Sequence, residues 1–435
     1  MKEPRSVAVT GVGMVTPLGN DVASTWNAIL KGESGIGEIV GFDASGFPTR
    51  IAAEVKGLRA EETIEDRKSL KYATPFSLFA LAAAEEAVRD AGVRPTAATA
   101  EQWGLVSGSG MMTMDFEFLQ RFQREFAADG KIDLARFGAE GERFISSPEF
   151  SRHRAVAGQA LLHKRYNIRG YSANLHTACA SGGQALGMAM RVVRSGQADY
   201  VLAGGYDTMI NPIGLAGFCL LGAISTDNDQ PHSASRPFDL TRNGFVLGEG
   251  AGFMVLEDWQ GAKDRGATIY AELAGEGNSL SSYRITDSPP SGDGPIQAIR
   301  GALADAGETV DAIDYINAHG TSTPMNDLSE TNAIKAVFGD RAFDLAVSST
   351  KSQMGHLIAA AGAVEGVICA LAIKNSMAPM TANLVTPDPE CDLDYVSDGC
   401  RPMQIDAAMS NSFGFGGSNS CLVFRSPQRA ETRGR

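Results

Sequence analysis

Positive charge is scarce in this sequence. Its 435 residues include 38 Lys and Arg against 51 Asp and Glu, which gives a net charge of −13 at pH 7. Proteins that bind nucleic acid need a surplus of cations to neutralise phosphates, so this balance argues against a nucleic-acid partner. It still permits a local basic patch that would meet an acidic protein.

Cysteine is also sparse, and its spacing excludes two kinds of site. The six cysteines form no CxxC pair and lie at positions 179, 219, 369, 391, 400 and 421. This spacing matches neither a zinc framework nor a disulfide scaffold, and no close pair of His or carboxylate residues has the spacing of metal ligands. We therefore expect no metal, reduced thiols and a cytoplasmic protein.

Long, uninterrupted hydrophobic runs are missing. The N-terminal residues lead directly into a short apolar strand, without the hydrophobic stretch of a signal peptide. The most apolar stretch, from Leu357 to Ile373, is interrupted by Glu365 and by two glycines. Such a stretch is typical of a buried helix, so we expect no insertion into a membrane.

Glycine is present in excess, and its positions indicate the organisation of the chain. The 49 glycines cluster in short runs at the ends of apolar strands. Strand–turn–helix units occur twice over, which predicts an α/β protein of two similar halves, residues 1–266 and 267–435. Residues 115–153 are more charged and aromatic and predict an inserted helical arm without strands. This arm would cap a substrate tunnel, pack on a second subunit, or lie as a solvated surface helix.

Three helices give clear local signals. Apolar residues at helical spacing predict one long helix over residues 69–91. Thr323 and Pro324 suit the N-cap and first position of a helix that ends at Phe338. The apolar stretch over residues 357–373 predicts a third helix, buried on all sides.

One cysteine, Cys179, lies where a strand-like run meets a helix, in the sequence Asn-Leu-His-Thr-Ala-Cys-Ala-Ser-Gly-Gly. A thiol there faces unpaired backbone N–H groups and the positive end of the helix dipole. Both favour the thiolate, so we expect a nucleophile that is reactive near neutral pH without an adjacent general base. A buried structural cysteine is the alternative, and position alone does not separate the two.

Three further polar stretches follow strand ends, at residues 317–327, 349–356 and 411–419. Two of the six histidines lie in them beside glycines: His319 precedes Gly320, and His356 follows Gly355. A lone histidine is usually a core residue, but a glycine beside a polar side chain leaves room for a ligand.

Together these motifs resemble the elongating β-ketoacyl-acyl carrier protein synthases, type II-like condensing enzymes of the thiolase superfamily. The matching segments are Thr-Ala-Cys-Ala-Ser-Gly, His-Gly-Thr-Ser-Thr-Pro-Met-Asn-Asp, Lys-Ser-Gln-Met-Gly-His and Asn-Ser-Phe-Gly-Phe-Gly-Gly-Ser-Asn. The resemblance covers nearly the whole chain. It implies a thiolase-like fold, in which two pseudo-duplicated α/β halves form a five-layer αβαβα core, and a homodimer.

The resemblance also implies a reaction. An acyl chain would undergo decarboxylative Claisen condensation with malonyl-acyl carrier protein, giving β-ketoacyl-acyl carrier protein and CO₂ in fatty acid elongation. Acyl carrier protein would be the partner, and its phosphopantetheine arm would carry the substrates, with no other cofactor. The same condensation in a specialised polyketide or unusual-lipid pathway is the alternative. A non-catalytic partner subunit is disfavoured because such relatives lose the nucleophile, which is present here.

By resemblance, the catalytic residues would be Cys179, His319, His356 and Lys351. Cys179 would accept the acyl chain, and its N–H with that of Phe415 would form the oxyanion hole. Phe415 would also gate the entry of the chain. His319 and His356, as neutral imidazoles, would stabilise the enolate that forms when the malonyl group loses CO₂.

Lys351 and the residues around it would orient the other three groups. Lys351 would orient the site, with Glu365 as its ion-pair partner, and Asp327 would stand behind the loop of His319. Thr321 and Thr323 resemble the pair that holds the pantetheine amides. Breaking a buried pair such as that of Lys351 costs about 3–5 kcal/mol. A plain structural salt bridge is the other reading of Glu365.

The substrate-recognition residues follow the resemblance less closely. Met111 and Met112 lie where the family lines its acyl pocket. A basic rim for the acidic carrier is implied at Arg67, Lys68, Arg143 and Arg284. The chain departs from the pattern at Gly222, where relatives often carry arginine, and at Phe144, which replaces a basic residue. His176 is also unusual, and strand alternation points it away from the nucleophile, as a core or supporting residue.

Overall fold

The computed structural model describes residues 5–59, 63–64, 66–110, 115–154, 156–286 and 288–433. Within them, ten strands form one mixed sheet, and three short two-stranded ribbons lie outside it. The strands are β1 (Val7–Val15), β2 (Gly37–Glu38), β3 (Ile51–Ala52), β4 (Trp103–Ser109), β5 (Ala127–Ala128), β6 (Lys131–Ile132), β7 (Ser172–Leu175), β8 (Tyr200–Asp207), β9 (Gly250–Asp258), β10 (Ala271–Leu280), β11 (Tyr315–Asn317), β12 (Ala346–Ser348), β13 (Met377–Ala378), β14 (Arg401–Pro402), β15 (Ala407–Phe413) and β16 (Ser418–Arg425).

Helices connect most of these strands. The α-helices of the described residues are α1 (Val22–Leu30), α2 (Arg67–Leu70), α3 (Pro75–Asp90), α4 (Phe116–Phe126), α5 (Leu134–Phe144), α6 (Ser147–Arg152), α7 (Ala157–Tyr166), α8 (Ser181–Arg194), α9 (Pro212–Leu221), α10 (Trp259–Asp264), α11 (Asp293–Ala306), α12 (Pro324–Phe338), α13 (Lys351–Met354), α14 (Ala361–Asn375) and α15 (Pro427–Arg433). Two 3₁₀ turns matter below, Ala178–Ala180 and Ile358–Ala360.

The large sheet repeats one topology twice. Its first five strands run in the order β7-β4-β8-β9-β1, and the other five in the order β12-β11-β15-β16-β10. In both sets the first two pairings are parallel and the last two antiparallel. The sets join through two residue pairs between β1 and β10. The boundary placed after residue 266 falls in the connection between β9 and β10, and its position there stays a prediction.

The helices complete five layers. α8 and α14 lie in the middle and contact strands of both halves. α3 covers the outer face of the first five strands together with α7, and α11 covers the second five together with α12. The predicted thiolase-like αβαβα arrangement is therefore confirmed, and the two central helices form its common core.

Small residues let the two central helices approach closely. A Cβ on Gly182 of α8 would lie 2.7 Å from the Ala363 nitrogen, and one on Gly362 of α14 would lie 2.7 Å from the Gly183 nitrogen. The stretch Ile358–Asn375 is long and apolar enough to cross a membrane, but 89% of it is buried inside the protein. As the composition predicts, it is a core helix, although its regular part starts only at residue 361.

The helix predictions show where local signals suffice. α12 runs from Pro324 to Phe338 with Thr323 as its N-cap, as predicted. The single helix expected over residues 69–91 is wrong, because the chain breaks between α2 and α3. Thr74 and Ser77 form a capping box there, with Pro75 in the first turn, so a new helix begins.

The inserted arm folds largely on its own aromatic cluster. It contains α4, α5 and α6 and also a short hairpin of β5 and β6, which the sequence prediction lacked. Its phenylalanine rings pack with centroids 5.0–6.4 Å apart, mostly edge to face, at Phe118, Phe122, Phe126, Phe137 and Phe144. Phe116 is 41% exposed, so the face expected to include it is only partly buried.

The contact between the central helices yields a stability prediction. We expect Gly182→Ala to destabilise the protein by about 1–3 kcal/mol, because a methyl group there overpacks the interface. Gly217→Ala in α9 is the matched control, since nothing lies within 4 Å of its Cβ position. That control should be neutral or slightly stabilising, because alanine favours a helix. Thermal unfolding followed by circular dichroism measures both, and equal midpoints for the two variants would contradict the prediction.

Candidate active site

Cys179 lies in the 3₁₀ turn that leads directly into α8. Its predecessor, Ala178, has a φ of +49°, a left-handed conformation that is uncommon for a residue with a side chain. The turn places the thiol at the edge of the sheet beyond β7, and Cys179 is only 5% exposed. The nucleophile candidate is therefore a buried thiol on a strained turn.

Both candidate histidines lie beside this thiol. His356 Nε2 is 3.0 Å from Cys179 Sγ. The rings of His319 and His356 meet edge to face, with centroids 5.2 Å apart. One ligand atom of each histidine and the sulfur lie within 4.8 Å of one another. Residues from both halves of the chain thus meet at one point.

The hydrogen bonds of His356 define its tautomer. The Ile358 N–H donates to His356 Nδ1 at 3.3 Å, so a neutral ring carries its proton on Nε2, facing the sulfur. Burial lowers the pKa of both histidines well below the usual value, and the Lys351 charge lowers them further. Both imidazoles are therefore neutral hydrogen-bond donors near pH 7.

The thiol of Cys179 does not behave as its position at a helix start predicts. Burial raises its pKa to about 12, although the Lys351 charge and the Phe415 N–H act in the opposite direction. This direction is opposite to the thiolate expected near neutral pH, because burial raises the pKa of the thiol more than the Lys351 charge and the neighbouring N–H groups lower it. His356 adjoins the thiol, but its Nε2 carries the ring proton, so the imidazole donates toward the sulfur and is not placed as a general base.

Lys351 and Glu365 form a fully buried ion pair. Lys351 opens α13 and Glu365 lies in α14, so the pair joins two elements of the second half. Burial raises the pKa of Glu365, while the Lys351 charge opposes that rise. The lysine is a fixed positive charge that acts on the thiol and both imidazoles.

A glycine-rich loop closes the site opposite the helix. A Cβ on Gly414 would lie 3.1 Å from the Cys179 nitrogen, so the loop backbone contacts the nucleophile directly. The Phe415 N–H is close enough to lower the pKa of the thiol. The half-buried Phe415 ring lies 6.4 Å from that of Phe218. Two backbone N–H groups, those of Cys179 and Phe415, thus border the sulfur.

Side-chain hydrogen bonds and an ion pair support the loop after His319. Thr321 and Thr323 are hydrogen-bonded through their hydroxyls at 3.0 Å, and Thr323 also caps α12. Asp327 accepts the Phe238 N–H at 2.9 Å and lies 3.6 Å from the Arg242 guanidinium. Burial raises the pKa of Asp327. Through these contacts it supports the loop.

Glu330 is a site residue that the sequence reasoning missed. Its carboxylate accepts the backbone N–H groups of His319 and Gly320, each at 2.8 Å, and the Asn411 side-chain amide at 3.0 Å. It is completely buried, which raises its pKa to about 7. An acidic residue three positions after Asp327 on the same helix face was the available signal.

An apolar cluster that includes Cys179 adjoins the site. It contains side chains from α9 and from the segment before β9, and its buried members are Ile39, Ala44, Ala52, Met209, Leu215, Ile224, Phe245, Leu247 and Ile358. Phe218 and Phe415 pack against it. The predicted pocket residues Met111 and Met112 lie outside the described residues, so this cluster is the apolar wall that the structure shows.

Three of the four residues expected to form the basic rim have exposed side chains. Lys68, Arg143 and Arg284 are exposed, and the Arg284 guanidinium lies over the Tyr283 ring. Arg67 begins α2, and its side chain lies outside the description. His176 is exposed rather than in the core, and its ring N–H donates to the Ser109 carbonyl oxygen at 2.9 Å.

The thiol and the two imidazoles also form a donor set that suits a soft metal ion. Their ligand atoms lie within 4.8 Å of one another, and cysteine and histidine are the ligands that zinc prefers. All three are buried, and a neighbouring lysine charge disfavours a cation. The absence of a metal stays a prediction.

Comparison with known proteins places the whole chain in one family. Residues 4–262 match the model of the beta-ketoacyl synthase N-terminal domain, and residues 270–385 match that of the C-terminal domain. The chain is 43% identical to 3-oxoacyl-[acyl-carrier-protein] synthase 2 of Coxiella burnetii, over 97% of this chain and 98% of that protein. The enzyme of the same name from Synechocystis is 40% identical, over 98% of this chain and 99% of its own.

Solved structures agree. A ketosynthase in complex with its type II polyketide acyl-carrier protein is 36% identical, with a TM-score of 0.86, over 98% of this chain and 100% of that one. A β-ketoacyl synthase from Burkholderia phymatum is 32% identical with the same TM-score, over 97% and 99%. By sequence and by structure, the chain belongs to the beta-ketoacyl synthase family.

Proposed function

We propose that this protein condenses an acyl chain held on Cys179 with malonyl-acyl carrier protein, releasing CO₂ and β-ketoacyl-acyl carrier protein in fatty acid elongation. The main support for this proposal is the site itself: one thiol and two neutral, buried imidazoles have ligand atoms within 4.8 Å of one another, beside an apolar cluster. The thiol supplies a covalent acyl carrier, and the imidazoles supply donors for a developing enolate.

The first half-reaction is acyl transfer. The Cys179 sulfur attacks the thioester carbon, the carbon–sulfur bond to pantetheine breaks, and the thiol proton ends on the departing pantetheine sulfur. The N–H groups of Cys179 and Phe415 stabilise the oxyanion. Because the free thiol is protonated near neutral pH, the attack depends on the Lys351 charge and the His356 Nε2–H, which stabilise the developing thiolate.

The second half-reaction is decarboxylative condensation. The malonyl carboxylate leaves as CO₂, and its bonding electrons pass to the thioester enolate. The N–H groups of His319 and His356 donate to the enolate oxygen, which requires neutral rings. The enolate carbon then attacks the acyl carbonyl, and the Cys179 sulfur leaves as a thiolate that takes up a proton from water. Lys351 and burial keep both rings neutral.

Substrate delivery uses the residues around the entrance. Thr321 and Thr323 bind the pantetheine amides with their hydroxyls, and the Phe415 ring moves to admit the chain. Met111 and Met112 complete the apolar pocket. Acyl carrier protein docks on the basic rim of Arg67, Lys68, Arg143 and Arg284, against an otherwise acidic surface. No resident cofactor or metal takes part.

The enzyme works as a cytoplasmic homodimer. The supporting observation is β7, which is an edge strand of the large sheet and immediately precedes the turn of Cys179. An edge strand presents unpaired backbone groups that can pair with another chain. The arm of α4 to α6 exposes apolar side chains that a second subunit would cover, such as Leu134 and Phe150.

A specialised pathway is the second candidate. The ketosynthase of the 36% identical complex carries a hexaketide, according to its description, and shares the whole fold. The inserted arm and Gly222 in place of a basic residue are the features of this chain that support altered specificity. The curated relatives at 40–43% identity favour fatty acid elongation.

Separating the half-reactions tests the proposed roles. Cys179→Ala should abolish the acyl-enzyme but keep malonyl decarboxylation, because the enolate donors remain. His319→Ala should keep acylation and lose decarboxylation about 10²–10³-fold, as for removal of one oxyanion donor. Intact-protein mass spectrometry measures the acyl adduct, and CO₂ release measures decarboxylation. His232→Ala, an exposed histidine elsewhere, is the control. Loss of the same half-reaction in both variants would refute the assignment.

The protonation state of the thiol can be tested by alkylation. Only the thiolate reacts with iodoacetamide, and a pKa of about 12 means that the thiolate is a small fraction of Cys179 between pH 7 and 10. The iodoacetamide rate at Cys179 should therefore rise about tenfold per pH unit from pH 7 to 10 without reaching a plateau. A plateau below pH 9 would show a lower pKa. Lys351→Met with Glu365→Gln removes the buried pair together, and should slow alkylation at every pH because the lysine charge lowers the thiol pKa.

Chain preference separates the two pathways. We expect saturated acyl-carrier substrates of about ten to fourteen carbons to be elongated at least as well as polyene or polyketide chains, since an apolar cluster adjoins the nucleophile. Competition between the two substrate classes, read by the mass of the adduct on Cys179, measures this. Exclusive acylation by polyene or polyketide chains would favour the specialised pathway.

A further inference from the structure

Asp207 is a buried carboxyl beside the active site that takes no part in the reaction described above. It ends β8, is 3% exposed, and is close enough to influence the pKa of Cys179. The site makes room for it, because a Cβ on Gly110 would collide with the carboxyl group. Burial raises the pKa of Asp207 to about 7. A carboxyl at such a position needs hydrogen-bond partners.

One of its hydrogen-bond partners lies in the turn that follows His356, and the Thr208 N–H is another. Asp207 Oδ2 accepts the Ala359 N–H at 3.0 Å. The turn Ile358–Ala360 also packs directly on β8, since a Cβ on Gly205 would lie 2.8 Å from the Ala359 carbonyl oxygen. The first half of the chain thereby holds a turn that belongs to the second half.

The backbone of this turn is strained at Ile358, the residue whose N–H contacts the His356 ring. Ile358 has a φ of +48°, and a left-handed conformation is a genuine outlier for a β-branched residue. Such a residue costs about 1–3 kcal/mol and persists only where its surroundings hold it. The N–H of Ile358 is the group that donates to His356 Nδ1.

The main chain of His356 is fixed independently. Its N–H donates to the Val246 carbonyl oxygen at 2.8 Å, and its own carbonyl oxygen accepts the Gly248 N–H at 2.9 Å. Loss of the Asp207 contact therefore leaves the backbone of His356 in place. What it releases is the turn, and with it the hydrogen bond that determines the tautomer of the ring.

We propose that Asp207 is a positioning residue for His356: it holds the strained turn so that the Ile358 N–H keeps Nδ1 an acceptor and Nε2–H directed at Cys179. The inference rests on the proposed role of His356 for its effect on catalysis. Its structural part does not, because the tautomer is observable without substrate.

The test compares Asp207→Ala, which removes the acceptor, with Asp207→Asn, which keeps an acceptor oxygen in the same place. Nitrogen NMR of histidine-labelled protein reports the tautomer, and a spectrum of His356→Ala identifies the signal. The wild type and Asp207→Asn should show the Nε2–H form, and Asp207→Ala a mixture. Decarboxylation should fall about 10²-fold in Asp207→Ala alone, as expected for a misplaced catalytic group.

Asp314→Ala controls for a loss of stability. Asp314 accepts two backbone N–H groups, those of Asp406 and Ala407, at the end of β11 away from His319. It should lower the thermal midpoint without changing the tautomer or decarboxylation. If Asp207→Ala does not fold, Asp207→Leu fills the space without an acceptor. An unchanged His356 tautomer in the acceptor-free variant overturns the inference, whereas absent decarboxylation in the wild type overturns only the proposed function.

Discussion

The close contact of α8 and α14 is the constraint on which the site depends. Each helix begins at a reactive loop, one after Cys179 and the other after His356, so the distance between helices determines the distance between the groups. Glycine on each helix lets the backbones meet where any side chain would separate them. Neither half of the chain contains a complete site, because the thiol comes from the first and both imidazoles come from the second.

Desolvation is the largest influence on the pKa of the thiol and of both imidazoles at this contact. The helix dipole and the charge of Lys351 both favour a thiolate, yet burial prevails and raises the pKa of Cys179 to about 12. For the two histidines, burial and the same lysine act together and keep the rings neutral. The Lys351 charge thus opposes the effect of burial on the pKa of the thiol and adds to the effect of burial on the pKa of the imidazoles. This combination suits a site that needs a nucleophile first and then two neutral donors.

Because Cys179, His319 and His356 lie in glycine-flanked motifs at strand ends, the sequence singles out three side chains that the structure brings together. It also predicts α12 and its N-cap, because capping depends only on residues that are neighbours in the sequence. It misses Glu330, whose importance comes from two N–H groups of a loop ten residues away, and it misjudges the thiol of Cys179, whose burial is supplied by distant segments. The capping-box residues beside Pro75 do indicate the break between α2 and α3, so the local sequence contains the signal for this helix start.

Duplication explains why one turn serves two purposes. The 3₁₀ turns Ala178–Ala180 and Ile358–Ala360 each lead directly into a central helix, and each starts with a residue at nearly the same positive φ. In the first half the second residue of the turn is Cys179. In the second half it is Ala359, which has no reactive group and offers only its N–H, the group that Asp207 binds. The same strained geometry therefore presents a nucleophile on one side and orients an imidazole on the other, so strain is retained in both halves for different chemical reasons.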